Sequence, residues 1–137
     1  LAGDEDLFFK IKNDPEFISP FIEEALRFES PAQGNYTRCL ADTVLGGIEI
    51  SKGATLTLLW GSANRDESVF EQADQFIIGR KNLKEHIAFG KGIHFCLGAK
   101  LSRLEAEIVL EELFSSKKNW RLLESERNIM RAFLSDV

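Results

Sequence analysis

Two amphipathic stretches near the start of the chain predict helices. Apolar residues recur at helical spacing in residues 4–12 and again in residues 18–28. Each stretch runs into a proline, Pro15 or Pro31, which removes a backbone donor and keeps the residue before it out of helical geometry. The apolar positions are Leu7, Phe8 and Ile11 in the first stretch and Phe21, Ile22, Ala25, Leu26 and Phe28 in the second.

Short strands are predicted in the middle of the chain, where β-like residues begin at Tyr36. The segments 43–45 and 48–50 flank Gly46-Gly47, which is typical of a hairpin turn. Residues 55–60 begin by alternating threonine and leucine, a pattern that favours a further strand.

The second half of the chain predicts a short helix, a loop and a long helix. Residues 62–74 are polar and mixed, and residues 86–94 are punctuated by glycine. A long helix is predicted over residues 97–114, with glutamates around one side. Its apolar residues on or near the other face are Leu101, Leu104, Ile108 and Leu110. Helices followed by small β elements and a final helix predict an α+β fold, mainly helical with small β-sheets, in one domain over residues 1–137.

Composition is ordinary for a globular domain of this length, with 44% apolar and 28% charged residues among 137. The net charge of −5 argues against attraction to nucleic acid or to anionic membranes. No apolar run of about 18 residues is present, so no transmembrane helix is expected. Two cysteines, Cys39 and Cys96, without a visible signal peptide predict a cytoplasmic, reduced protein that has no disulfide.

The segment around Cys96 is the most informative part of the chain. Two glycines precede this cysteine, a third follows it, and the predicted long helix begins just beyond. Glycine permits close backbone approach to a flat ligand, and the start of a helix stabilises a thiolate. From the residues alone, Cys96 is a buried structural cysteine, a nucleophile paired with His94, or a metal-binding thiolate. Zinc is disfavoured, because the histidines and cysteines lack paired spacing.

The ten residues from Phe89 to Gly98 match the pattern F-G-x-G-x-H-x-C-x-G at every fixed position. The chain therefore resembles the cytochrome P450 family of haem-thiolate monooxygenases. The resemblance implies haem b, iron protoporphyrin IX, as the cofactor and Cys96 as the axial metal ligand. It also implies that His94 contacts a haem propionate and that Phe89 packs near the sulfur. The loop glycines that would let the chain lie against the porphyrin are Gly90, Gly92 and Gly98, and the match continues through Ala99, Leu101, Arg103 and Glu105.

Glu24 and Arg27 lie three residues apart and share one face of the second predicted helix. Taken alone, this spacing is typical of a surface ion pair. The pair also matches the family's E-x-x-R helix, and the resemblance implies a buried structural network. The family usually adds a third polar member downstream. Gln75 stands where arginine is frequent, which leaves Arg80 or no residue in that role. The resemblance further implies that Arg38 is a second propionate partner.

The resemblance covers residues 5–123 and corresponds to the C-terminal third of a typical family member, so we expect an incomplete, haem-binding portion of the fold. It implies an enzyme that activates O2 at haem iron and inserts one oxygen atom into a small organic substrate. Electrons would come from a ferredoxin or flavodoxin type redox partner. Lys91, Lys100 and Arg103 are either a basic docking patch for that partner or ordinary solvated charge.

Two alternatives stay open at this point. The chain is a truncated, non-catalytic fragment that keeps the scaffold but binds haem weakly or not at all, or it belongs to an enzyme that uses peroxide and needs no redox partner. An apolar surface left by the absent part of the fold would also favour self-association.

Overall fold

The computed structural model describes residues 4–115 and 132–135. Helices and two small sheets confirm the α+β class. The helices are α1 (Glu5–Asn13), α2 (Ile18–Phe28), α3 (Trp60–Ala63) and α4 (Ala99–Ser115), with 3-10 turns at Pro15–Phe17, Leu83–Glu85 and Gly92–His94. The strands are β1 (Ala32–Arg38), β2 (Thr43–Leu45), β3 (Ile48–Ile50), β4 (Thr55–Leu58) and β5 (Ala132–Ser135).

Side-chain caps define the first two helices, whose predicted bounds are confirmed to within one residue. The Asp4 carboxylate accepts from the Leu7 amide at 2.9 Å and starts α1. At the C-terminal end of α2, the Ser30 hydroxyl donates to the Leu26 carbonyl at 2.8 Å, and Pro31 follows directly. Local sequence signals therefore determine both helices.

Strand β1 lies at the centre of a three-stranded sheet. It pairs antiparallel with β4 and parallel with β5, and β2 and β3 form the separate hairpin predicted around Gly46-Gly47. Two predictions need correction. The strand predicted over residues 55–60 ends at Leu58, because the Leu59 carbonyl already accepts from the Ala63 amide in the first turn of α3. In addition, β1 begins at Ala32, where its pairing with β5 starts.

The hydrophobic core lies between α1, α2 and α4. Its buried residues are Ile11, Ile18, Ile22 and Phe114, and the Phe8 ring packs 5.3 Å from the ring of Phe114. The long predicted helix is confirmed as α4, which turns Ala99, Ala106, Leu110 and Phe114 inward. No helix within the described ranges is both long and apolar enough to cross a membrane.

The other face of α4 carries a row of exposed apolar side chains. We call Leu101, Leu104 and Ile108 the α4 stripe, since their spacing of three and four residues places them on one side of the helix. These three are about half exposed, and Leu97, which precedes the helix, is fully exposed. The apolar pattern seen in the sequence thus belongs mostly to a surface that no described residue covers.

Candidate functional site

Cys96 lies on the surface at the end of a closed loop, directly before α4. The Cys96 amide donates to the Phe89 carbonyl at 2.9 Å, and the Ala99 amide donates to the Cys96 carbonyl at 3.3 Å. The cysteine therefore lies directly before the first turn of α4. Cys39 and Cys96 are both free thiols, and Cys96 is exposed. The interpretation of Cys96 as a buried structural cysteine is therefore wrong for this chain.

Two glycines give the loop its shape. Gly90 has a φ of +72° and Gly92 a φ of +74°, in the left-handed region where a side chain is strained. Gly98 differs, since its φ is not positive; a Cβ built there would lie 3.7 Å from Cys96 Sγ. The three predicted loop glycines therefore serve two purposes, backbone conformation before the cysteine and open space beside its sulfur.

Exposed apolar side chains flank the thiol. Ile93 and Leu97 are almost completely exposed, and half of Phe95 is accessible. Large apolar side chains next to a free thiol form a surface that suits a broad apolar ligand. The surroundings of Cys96 thus fit a flat apolar group bound through sulfur better than a water-exposed nucleophile.

A cleft of about 420 Å³ opens beside the loop, between the loop, α3 and the β1–β4 pair. His94 lines it together with Trp60, Gly90 and Thr37. Arg38, the other predicted propionate partner, is exposed at the end of β1 and does not line this cleft. His94 thus lines the cleft, and Arg38 stays a predicted propionate partner that lies exposed at the end of β1.

Glu24 and Arg27 form a fully buried ion pair. The Arg27 Nε and Nη2 atoms donate to the two carboxylate oxygens of Glu24 at 2.8 and 2.7 Å, and neither side chain is exposed. Arg80 joins them, with Nε donating to Glu24 Oε1 at 3.0 Å. Burial alone would raise the pKa of Glu24, but hydrogen bonds from Arg27, the Ile77 amide and Arg80 outweigh it and lower the pKa. Arg80 is thus the third charged member of this network.

Arg27 also fixes the chain that leads to the cysteine loop. Its guanidinium donates to the carbonyls of Asn64, Ala73 and Gln75 at 2.8 to 2.9 Å. The buried Asn64 side chain in turn accepts from the Ile87 amide at 2.7 Å, two residues before Phe89. These hydrogen bonds connect α2 to the start of the loop without touching Cys96.

A second charged cluster behind the loop was not predicted from the sequence. We call Glu23, His86 and Arg103 the Glu23 cluster. The Glu23 carboxylate accepts from Arg103 Nε at 2.5 Å, from Arg103 Nη2 at 3.0 Å and from His86 Nε2 at 2.9 Å. Burial would raise the pKa of Glu23, but the hydrogen bonds from His86 and Arg103 outweigh it and lower the pKa to about 2.

From the sequence, His86 is expected in the glycine-punctuated loop, and Arg103 is expected either in a basic docking patch or as ordinary solvated charge. One sequence feature could have indicated this cluster. Glu23 is an acidic residue beside Glu24 in a helix that is otherwise mostly apolar. Long-range pairing over 63 and 80 residues leaves no local pattern. Since Arg103 is committed to Glu23, only Lys91 and Lys100 of the suggested patch remain as exposed cations.

Comparison with known proteins gives a consistent picture. The family model described as Cytochrome P450 matches residues 12–125. Cytochrome P450 144 of Mycobacterium tuberculosis is 47% identical over 113 residues, covering 82% of this chain and 26% of the relative. A cytochrome P450 of Bacillus subtilis is 45% identical over 123 residues, covering 89% of this chain and 30% of the relative.

Solved structures agree. The P450 heme domain of Tepidiphilus thermophilus superimposes with a TM-score of 0.85 at 36% identity, over 89% of this chain and 29% of that structure. The chain thus spans about a quarter to a third of the length of the proteins it matches.

Proposed function

The chain belongs to the cytochrome P450 family, and from that premise we propose that it forms the thiolate side of a haem site, with Cys96 as the axial iron ligand. The observation that carries the proposal is the exposed Cys96 thiol at the start of α4, among exposed apolar side chains on a glycine-shaped loop. A thiolate is the sulfur ligand that haem iron takes in this type of protein.

The residues around Cys96 suit haem in shape and chemistry. The apolar faces of a porphyrin would cover the exposed side chains of Ile93, Phe95 and Leu97, which otherwise stand in water. Gly98 leaves the space beside the sulfur free of a side chain. The half-buried Phe89 lies next to Cys96 through their backbone hydrogen bond, which supports its proposed place near the sulfur.

His94 and Arg38 are the proposed partners of the haem propionates. His94 is exposed on the cleft beside the loop, where its ring can donate to a carboxylate. Arg38 lies at the exposed end of β1, and its guanidinium can bind a carboxylate through two parallel hydrogen bonds.

For the whole protein we propose a monooxygenase that inserts one oxygen atom into a small organic substrate. Haem b, when bound, supplies the iron at which molecular oxygen is activated. This chain supplies the sulfur ligand and the loop that holds it. Electrons are proposed to come from a ferredoxin or flavodoxin type partner, with Lys91 and Lys100 as exposed cations near the loop. A cytoplasmic location agrees with the two free thiols.

The absorption spectrum of the haem-loaded, reduced protein under carbon monoxide tests the proposal. Thiolate ligation predicts a strongly red-shifted Soret band that Cys96→Ala abolishes. Cys39→Ala is the matched control and should keep the band, since Cys39 lies outside the loop. An unshifted band in the unmutated protein, or no haem uptake, would favour the alternative of a non-catalytic scaffold that holds haem weakly or not at all.

A further inference from the structure

The Glu23 cluster lies between α2, α4 and the cysteine loop, and the proposed haem site leaves it without a role. We infer that Arg103, held by the Glu23 carboxylate that also binds His86, is a positioning residue that fixes Phe89 and through it the backbone at Cys96. The inference rests on the proposed function only for its effect on haem. The inferred effect of Arg103 on the cysteine loop does not depend on haem, because every residue involved is in this chain.

The Phe89 ring packs against two members of the cluster. The Arg103 guanidinium carbon lies 4.6 Å from the centre of this ring, within the range of a cation–π interaction. The His86 ring centre lies 6.3 Å from it, and Phe95 is at 6.4 Å on the loop itself. Movement of Arg103 would therefore remove the shortest of these three contacts and loosen the Phe89 ring.

Phe89 passes this constraint to the cysteine through its own backbone. Its carbonyl accepts from the Cys96 amide at 2.9 Å, the hydrogen bond that closes the loop. Ring and carbonyl belong to one residue, so a ring held in one rotamer helps to hold the carbonyl in one orientation. The Glu23 cluster thus helps to fix the Cys96 amide without contacting it.

Arginine is the side chain that this geometry requires at position 103. Two of its nitrogens bind the two oxygens of Glu23, which sets the guanidinium plane while the face remains available to Phe89. A third nitrogen reaches the Ala99 carbonyl at 3.4 Å, in the turn that follows Cys96. Lysine could keep the charge but neither the paired hydrogen bonds nor the stacking.

Hydrogen exchange at the Cys96 amide tests this positioning in the full chain, with or without haem. In Arg103→Gln the exchange of this amide should accelerate several-fold relative to the amide of buried Ile22, a ratio that cancels any general loss of stability. Arg65→Gln is the matched control. Its guanidinium lies 3.9 Å from the Phe28 ring and is exposed to a similar degree, but its hydrogen bonds go to Phe28 and Glu29 and not to the cysteine loop. It should leave the ratio unchanged.

The charge-balanced double variant Glu23→Gln/Arg103→Gln separates positioning from simple electrostatics. It has the same net charge as the unmutated protein but lacks the paired hydrogen bonds. Positioning predicts that the Cys96 amide still exchanges faster, as in the single variant. If the double variant instead has the Cys96-to-Ile22 exchange ratio of the unmutated protein, the faster exchange in Arg103→Gln is due to the lost charge balance, and the inference is overturned. If Arg103→Gln loses its native circular dichroism, Arg103→Lys replaces it with the same expectation.

The haem midpoint potential gives a second readout. Arg103→Gln should shift it, and most of that shift should disappear in a Phe89→Leu background, because Arg103 is inferred to act through the ring. Additive shifts would overturn the inference. Failure of the proposed function is seen separately, as the absence of a Cys96-dependent Soret shift in the unmutated protein. An unchanged Cys96 exchange ratio in Arg103→Gln contradicts positioning whatever the haem result.

Discussion

Glu23 remains charged far below the pH at which an ordinary glutamate is protonated. Its pKa is lowered from 4.5 to about 2 because hydrogen bonds from His86 and Arg103 outweigh the cost of burial. A lowered pKa in the folded state stabilises the fold fully above pH 4.5, and this contribution is lost as the pH falls toward 2. We expect a contribution on the order of 3 kcal/mol to the free energy of unfolding.

Chemical unfolding of the protein and of Glu23→Gln across pH checks this value. The difference in unfolding free energy should be constant above about pH 5, diminish through the acid range and approach zero near pH 2. Asp66→Asn is a useful control, since its carboxylate bonds only the nearby Ser68 on the surface. A difference between the protein and Glu23→Gln that is independent of pH would contradict the assigned pKa of Glu23.

Single residues differ in how far the sequence predicts them. The pattern around Cys96 identifies the cysteine and its glycines, because the backbone requirements of a tight loop are encoded in consecutive positions. The Glu23 cluster depends on three segments that meet only in the folded chain. Arg38 is an intermediate case, since the resemblance proposes its role and the structure adds only that it lies exposed at the end of β1.

Among the elements, α2 depends most on buried charge. Arg27 carries five hydrogen bonds, two to Glu24 and three to backbone carbonyls of residues 64, 73 and 75. Arg27→Ala would leave Glu24 buried with Arg80 as its remaining cationic partner. It would also remove this donor from the three carbonyls, of which that of Gln75 keeps a hydrogen bond from Arg80. Removing one member of a buried pair typically costs about 3–5 kcal/mol, so we expect a loss of that size in the free energy of unfolding.

Thermal or urea unfolding measures this loss. Arg65→Ala is the control, because its contact with Glu29 is longer, 3.4 Å, and more exposed. It should cost about 1 kcal/mol. Equal losses in both variants would show that burial of the Arg27 pair adds nothing.

Helix α4 shows the limit of periodicity as a guide to packing. The sequence predicts its extent well, but hydrophobic spacing does not say which side meets the core. The inward face carries Ala99, Ala106, Leu110 and Phe114, whereas Leu101 and Leu104 are exposed. Strand β5 shows the same limit, since its partner β1 lies about a hundred residues away and nothing local specifies that pairing.

At the scale of the whole molecule, the α4 stripe and the apolar side chains beside Cys96 form exposed hydrophobic surface on the same part of the chain. Such surface favours association in water. We therefore expect this chain to self-associate reversibly, with its weight-average mass rising with concentration in sedimentation equilibrium. Leu101→Lys/Leu104→Lys should weaken the association by at least tenfold, because it places two charges in the stripe.

The β2–β3 hairpin supplies the matched control for that experiment. Val44 and Ile48 are as exposed as the stripe residues but lie on a separate two-stranded sheet. Val44→Lys/Ile48→Lys should leave the association constant unchanged if the stripe is the contact surface. A monomer at every concentration would mean that isolated apolar rows on this fold are tolerated in water. Loss of association only in the hairpin variant would instead place the contact surface at the hairpin, away from Cys96.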